Sequence, residues 1–355
     1  MSSEYDPEFI RQYFGTVTLE PANRFEAGSY VELKFTITIG EYGFDDRGNI
    51  KLAWPVTNSF GIPQFDEKEF ENYTTIETNG QVKLSYDFSH SDYIRPFMPC
   101  IKIKVKDGSL EPGEKVIITM GSQKYGGKGL KVQTYIENKI EFKTLLDPFG
   151  TNKYTRLPDS PSIDIVSNKP AKLTIIHPSE AVVGKAFWVL VRADDTQGNT
   201  ADSYTGTITL DIGDMKREIS LTTEDSGYRR IEDIIVKEAG VYYPEIQDTH
   251  GWTAKGSPLI VSEEGQDLHL FWGDLHGQTG ETVGSGTIEE YLKFGREQAA
   301  LDYISHAANA FQVTIPIWKN TQKAIKEFHE PSRYVTFLGY EWSGVTSAGG
   351  DHNVY

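Results

Sequence analysis

The 355-residue chain has a single cysteine, Cys100, only four methionines, and no apolar run approaching the ~18 residues that span a bilayer. One thiol cannot close an intrachain disulfide, so the fold needs no oxidising compartment. Basic residues are scarce as well: 35 Lys and Arg against 51 Asp and Glu give a formal net charge of −16 and a pI of about 5.0. A surface of that sign does not hold a phosphate backbone, which argues against nucleic acid as a partner. The opening Met1-Ser2-Ser3-Glu4-Tyr5-Asp6-Pro7 lacks the basic n-region and apolar run of a secretory leader. The expected address is therefore cytoplasmic, with no membrane association.

The first three quarters of the chain have a period of two. Asp6 and Pro7 predict a short opening helix, as N-cap and first helical residue. After it, Val31, Leu33, Phe35, Ile37 and Ile39 alternate with polar residues, which predicts a strand with one buried and one wet face. The same alternation returns at residues 82–86, 101–105 and 115–120, separated by turn pairs such as Asn79-Gly80 and Asp107-Gly108. A turn-rich stretch from Asp147 to Pro161 is the best linker candidate, and about five more strands follow between residues 172 and 243. The expectation is a multidomain chain: an antiparallel β-sandwich over 1–160 and an immunoglobulin-like β-sandwich over 161–264. Two features in this part suggest chemistry at first sight. Asp194-Asp195-Thr196-Gln197-Gly198-Asn199 resembles a calcium loop but lacks the closing Glu, and is read as a hairpin turn. The stretch 121–129 is rich in Gly and Lys without Walker spacing and is read as a loop.

From residue 265 the grammar changes, and five of the eight histidines (His269, His276, His306, His329, His352) fall there. His269–Trp272 reads as a short apolar strand, Thr287-Ile288-Glu289-Glu290 as a capping box opening a helix, and Leu301–Ser305 as a second strand. A second helix near 315–328 and a strand at 334–338 follow. Strand, helix, strand, helix, strand predicts a parallel sheet whose site lies at the carboxyl ends of the strands. The candidate groups sit at those places. Asp274 and His276 follow the first strand, His306 and Asn309 the second, and Glu341 the third, while Asp351 and His352 lie in a glycine-rich loop. Imidazoles and carboxylates on one rim suit zinc, manganese or iron with open positions for water. His329 is expected to cap a helix, and His269 to be structural.

Gly273-Asp274-Leu275-His276-Gly277-Gln278-Thr279, the strand end Ser305-His306, and Gly339-Tyr340-Glu341-Trp342 with Gly350-Asp351-His352 resemble the first motifs of the PHP (polymerase and histidinol phosphatase) superfamily. They most resemble a branch of unknown function that carries β-rich sequence before the metal domain. The resemblance covers roughly residues 268–355. It implies an incomplete α/β domain over 265–355, the start of a distorted TIM barrel, holding divalent metals for phosphoester hydrolysis. By position it implies His276, His306, Glu341 and His352 as metal ligands and Asp274 and Glu341 as catalytic, with Gln278, Asn309 and Asp351 as possible additions. Gln278 stands where most of the superfamily has a second histidine, and Ser305 where it has an aspartate. Such a barrel needs about 250 residues, so the chain reads as a piece of a longer protein.

Two functions follow as expectations. The first is a metal-dependent hydrolase whose metal-activated water attacks a small-molecule ester. The second is a non-catalytic β-sandwich protein binding a glycan or a protein, with a vestigial metal domain. The sequence defines neither a leaving group nor an oligomeric state.

Overall fold

The computed structural model describes residues 6–22, 24–265, 267–344 and 349–355. The opening Met1–Tyr5, read above for a leader, lies outside the described residues. Two compact units are present, Met1–Val166 and Ser167–Tyr355.

In the first unit, the Asp6 carboxylate accepts from the amides of Glu8 (3.0 Å) and Phe9 (3.4 Å), and Pro7 opens the helix Pro7–Tyr13. Two of the four orphan amides at the helix start are thereby satisfied. Leu33–Ile39 is a strand whose residues alternate strictly between buried and half-buried. It sits inside an antiparallel sheet, between Gly15–Glu20 and Lys115–Met120, with Thr74–Thr78 at the edge. A five-stranded antiparallel sheet runs Thr155–Arg156, Lys143–Asp147, Asn49–Ala53, Cys100–Asp107, Lys83–Ser89. The inward residues of both sheets share one core: Phe35, Ile37 and Ile118 from the first meet Leu52, Ile101 and Ile103 from the second. These residues are at most 2% exposed, and truncating a core residue of this kind to Ala costs about 2–5 kcal/mol. The turn-rich stretch 147–161 is folded into this unit, because Asp147 accepts from the amides of Thr151 (3.0 Å) and Asn152 (2.7 Å) and turns the chain back.

The second unit opens with another sandwich, immunoglobulin-like in architecture. Phe187–Asp194 lies between Lys172–Ile176 and Tyr228–Ile234, all antiparallel. The facing sheet runs Met215–Leu221, Gly206–Ile212, Glu245–Asp248, Thr253–Lys255, and a small third sheet holds Glu180–Val182, Leu259–Ser262 and Gly240–Tyr242. Val189, Val191, Ile208, Leu210 and Ile246 close the core between them. The Asp194–Asn199 stretch is a turn: Asp195 accepts from the amides of Asn168, Gln197 and Asn199 and from the Asn199 side chain, all within 2.9 Å.

The remaining segment corrects the sequence reading. Gly273–Gly277, Tyr303–His306 and Val335–Leu338 form a parallel sheet in chain order, crossed over by the helices Ile288–Glu297 and Ile315–Phe328. Thr287 and Glu290 complete the capping box. Both helices pack with Ile304 and Tyr334 through Ile288, Leu292, Ala324 and Ile325. The chain then leaves the sheet, and Tyr340–Ser343 pairs antiparallel with Asp351–Val354. The expected incomplete α/β domain, the start of a TIM barrel, is overturned: among the described residues the parallel sheet stays open at three strands, and strands dominate over three α-helices of 7, 10 and 14 residues. The first strand also begins later than expected. Residues 269–272 are irregular and the strand starts at Gly273.

Candidate functional site

Glu341 is the point on which the candidate residues converge. It lies in Tyr340–Ser343, 6% exposed, with its amide donating to Ala308 O (2.9 Å) and its carbonyl accepting from the Ala310 amide (2.8 Å). These two bonds clamp it beside Asn309. Its Oε1 accepts from Asn309 Nδ2 (2.6 Å), and its Oε2 accepts from Gln278 Nε2 (2.9 Å) and stands 2.8 Å from His276 Nε2. A carboxylate this deep needs every lone pair answered, and side chains from two other segments answer it. Gln278 in turn accepts from the Thr282 hydroxyl at 3.0 Å, and Asn309 also lies 3.3 Å from Ser343 Oγ.

Asp274 and His276 lie within the strand Gly273–Gly277, not in a loop beyond it. The register slips between Asp274 and Gly277, so the simple alternation that would put both side chains on one side is broken. Asp274 is instead a positioning group: it accepts from the His276 amide at 2.8 Å and from the Tyr291 hydroxyl at 3.0 Å. Burial, with Asp274 adding to it, pushes the Tyr291 phenol well above its usual range, so the ring stays a neutral donor. Gly277 is required here, since a Cβ at that position would meet the Tyr291 ring at 1.9 Å.

His306 ends its strand fully buried, away from Glu341. The Thr279 hydroxyl donates to Glu281, and its oxygen lies 2.9 Å from His306 Nε2. A hydroxyl has one proton, so this arrangement makes Nε2 the protonated nitrogen of His306 and leaves Nδ1 a bare acceptor, which has no partner among the described residues. Burial lowers the imidazole to about 4, so it is neutral at neutral pH. His352 and Asp351 are exposed in the final hairpin; His352 stacks on Trp342 (5.7 Å, 20°) and Asp351 pairs with Ser343. His329 caps its helix, its amide donating to Ile325 O and its Nδ1 accepting from the Thr336 amide.

The structure therefore brings together His276, Gln278, Asn309 and Glu341, and leaves His306, Asp351 and His352 apart from them. The residues that meet do not make the donor set a zinc, manganese or iron ion needs: one imidazole and one carboxylate come together with two amides already engaged on that carboxylate. Among the described residues no group of three or more His, Cys, Asp or Glu is placed to hold a metal.

A second site was not legible in the sequence. A groove of about 580 Å³ is lined by His177, Ser179, Glu180 and Trp188 and by Leu270, Phe271, Trp272 and Asp302. Trp272 in its lining is anchored at two points. Trp272 donates its amide to Asp302 Oδ2 (2.8 Å) and its indole N–H to Ser179 Oγ (3.2 Å), while His269 Nδ1 pairs with Glu180. Even so, Leu270, Phe271 and Trp272 are 68%, 65% and 64% exposed.

No protein-family model matches the chain. It is 25% identical over 245 residues to an uncharacterized protein of Chlamydia pneumoniae, covering 66% of this chain and 39% of that one. An uncharacterized protein of Chlamydia muridarum is 24% identical over 296 residues, covering 79% of this chain and 46% of the relative. The chain thus spans less than half the length of these relatives. Among solved structures, the human desmocollin-1 ectodomain matches with TM-score 0.27 and 9% identity over 72% of this chain and 38% of that one. A carbohydrate acetylesterase from Xanthomonas citri matches with TM-score 0.19 and 11% identity over 30% and 21% of the two chains. Likenesses this low carry no argument. The expected membership of the PHP superfamily is overturned: no family model supports it, the relatives are uncharacterized, and the protein is strand-dominated with no barrel among the described residues. Short motifs of Gly, Asp and His carried that resemblance, and here they serve a strand, a bulge and a hairpin.

Proposed function

We propose that the protein binds a ligand, a glycan or a protein segment, in the groove of its second unit and does so without catalysis. The observation that carries the reading is the exposed aromatic pair Phe271-Trp272, with Trp272 tied to Ser179 and Asp302, in a groove that Glu180 and Trp188 also line. Contiguous exposed apolar surface rimmed by a few convergent polar groups is the ordinary form of a binding site. Trp272 spends two hydrogen bonds on being held still, which removes the ordering entropy a ligand would otherwise face on docking. The test is a screen of the purified chain against immobilised glycans and peptides, beside Trp272→Ala. Binding lost in the variant supports the reading, and no binding by either protein overturns it.

One observation favours a second reading, hydrolysis of a small ester. His276 is 63% exposed at its side chain, and its Nε2 is fixed 2.8 Å from the buried Glu341 carboxylate. An imidazole oriented in this way by a carboxylate can take a proton from water. Ester turnover by the wild type that falls by about a hundredfold or more in Glu341→Gln, with metal content followed in both, would establish it. Equal turnover in the two proteins would sink it.

A further inference from the structure

Resting on the binding reading, we infer that the groove is a subsite for a neutral sugar, stacked on Trp272 and hydrogen-bonded to Glu180 and Asp302. The lining holds two carboxylates, two histidines and three serines and no Lys or Arg. The Arg230 guanidinium lies 4.2 Å over the ring of Trp188 but is already paired with Glu232 at 2.8 Å. On a chain of net charge −16, an anionic ligand therefore meets net repulsion from Glu180 and Asp302, and phosphates, sulfated glycans and acidic peptides are disfavoured. What the groove offers is a flat, fixed aromatic face and acceptor oxygens beside it. Asp302 uses one oxygen on the Trp272 amide and Glu180 one on His269. Each carboxylate has a second oxygen. That pairing suits a pyranose, which presents an apolar C–H face and a rim of hydroxyl donors.

A peptide fits less well. Strand addition would have to use one of the two short edge strands that line the groove, Glu180–Val182 or Lys172–Ile176, of three and five residues, which provide little backbone pairing. The volume of about 580 Å³ lies within the ~300–1,000 Å³ of small-ligand clefts.

The experiment is an array of neutral, sialylated and sulfated oligosaccharides, with titration of any hit against wild type, Trp272→Ala and Glu180→Gln, each checked for an unchanged melting temperature. Neutral oligosaccharides should be retained and charged ones not, and both variants should weaken the hit by about tenfold or more. Neutral-sugar binding indifferent to both substitutions would overturn the placement in this groove. Peptides binding in a Trp272-dependent manner while no glycan binds would overturn the sugar and leave the binding reading standing. Binding of neither class would remove both.

Discussion

Glu341 and His276 meet at 2.8 Å although they come from different sheets, one from the final hairpin and the other from the edge of the parallel sheet. The buried partner is the acid and the exposed partner the imidazole, so the contact closes the hairpin onto the sheet whatever else it does. Glu341→Ala would strand the amides of Gln278 and Asn309 and cost about 2–3 kcal/mol. At the roughly 2–4 °C per kcal/mol of a unit this size, the melting temperature falls by about 5–10 °C. Calorimetry on the variant checks it, and a shift under about 1 °C would show that the carboxylate is not the hub of this corner.

Asp195 gives a pH signature. Burial by itself would raise its pKa, but hydrogen bonds from the Asn199 side chain and the amides of Asn168, Asn199 and Gln197 outweigh it and hold the carboxyl below its usual value. A lowered folded pKa means stability present above the unfolded pKa of about 3.9 and lost as pH falls through the folded value. The stability gap between wild type and Asp195→Ala is therefore steady from neutrality to about pH 5 and narrows below about pH 4. Urea titrations across that range test the sign; a gap that widens toward acid contradicts it.

Three contacts join the immunoglobulin-like strands to the end of the helix Ile288–Glu297. Arg192 Nη1 donates to Gln298 O (2.6 Å), Thr200 Oγ1 to Gln298 Oε1 (2.7 Å), and the Tyr228 hydroxyl to Glu297 Oε2 (2.9 Å). Limited proteolysis should accordingly leave residues 167–355 as one fragment. A stable product ending near residue 264 would show these contacts to be too weak to join the two parts.

What the sequence disclosed follows from how local each cause is. Alternation at Leu33–Ile39, the Asp6 cap and the Thr287–Glu290 capping box each involve neighbours within a few residues, and each appears where the pattern puts it. Of the residues singled out for their chemistry, His276, Gln278, Asn309 and Glu341 meet, while His306, Asp351 and His352, expected on the same rim, do not join them. The same local reading failed where the decision is made at a distance. Residues 269–272 look like a strand by hydropathy, but Trp272 is drawn off by Asp302 and Ser179 and becomes a groove wall instead. Tyr291 carries no sequence signal of its own, and its role appears only through the 3.0 Å contact of its hydroxyl with Asp274, 17 residues away in sequence. A shared short motif likewise suggested the start of a barrel, which the topology of the described residues does not contain.

Cys100 is fully buried, and burial pushes its thiol up to about 11. A thiol at that value is almost entirely protonated near neutral pH, and the thiolate is the nucleophile. Reaction with a chromogenic disulfide should therefore be absent in native buffer and stoichiometric in denaturant. Rapid labelling of the native protein would contradict the burial.

Gly295 sets two general effects against each other. It lies within the helix Ile288–Glu297, where Gly costs roughly 1 kcal/mol relative to Ala, so propensity alone predicts that Gly295→Ala stabilises. The added methyl, however, would stand 2.6 Å from the Tyr334 hydroxyl and 2.7 Å from Ile304 Cδ1. Neither neighbour is free to yield: Tyr334 is fully buried with its hydroxyl donating to Leu292 O at 2.9 Å, and Ile304 lies at the centre of the sheet. Overpacking of this kind costs about 1–3 kcal/mol, and displacing the Tyr334 hydrogen bond adds about 1 kcal/mol more. The clash outweighs the propensity, and Gly295→Ala should lower stability by about 1–3 kcal/mol. The companion variant Tyr334→Phe, which removes the oxygen the methyl would strike, should make the same Gly295→Ala change less costly than in the wild type. A double-mutant cycle with no coupling between the two positions would show that the helix shifts to admit the methyl and that this contact does not fix its distance from the sheet.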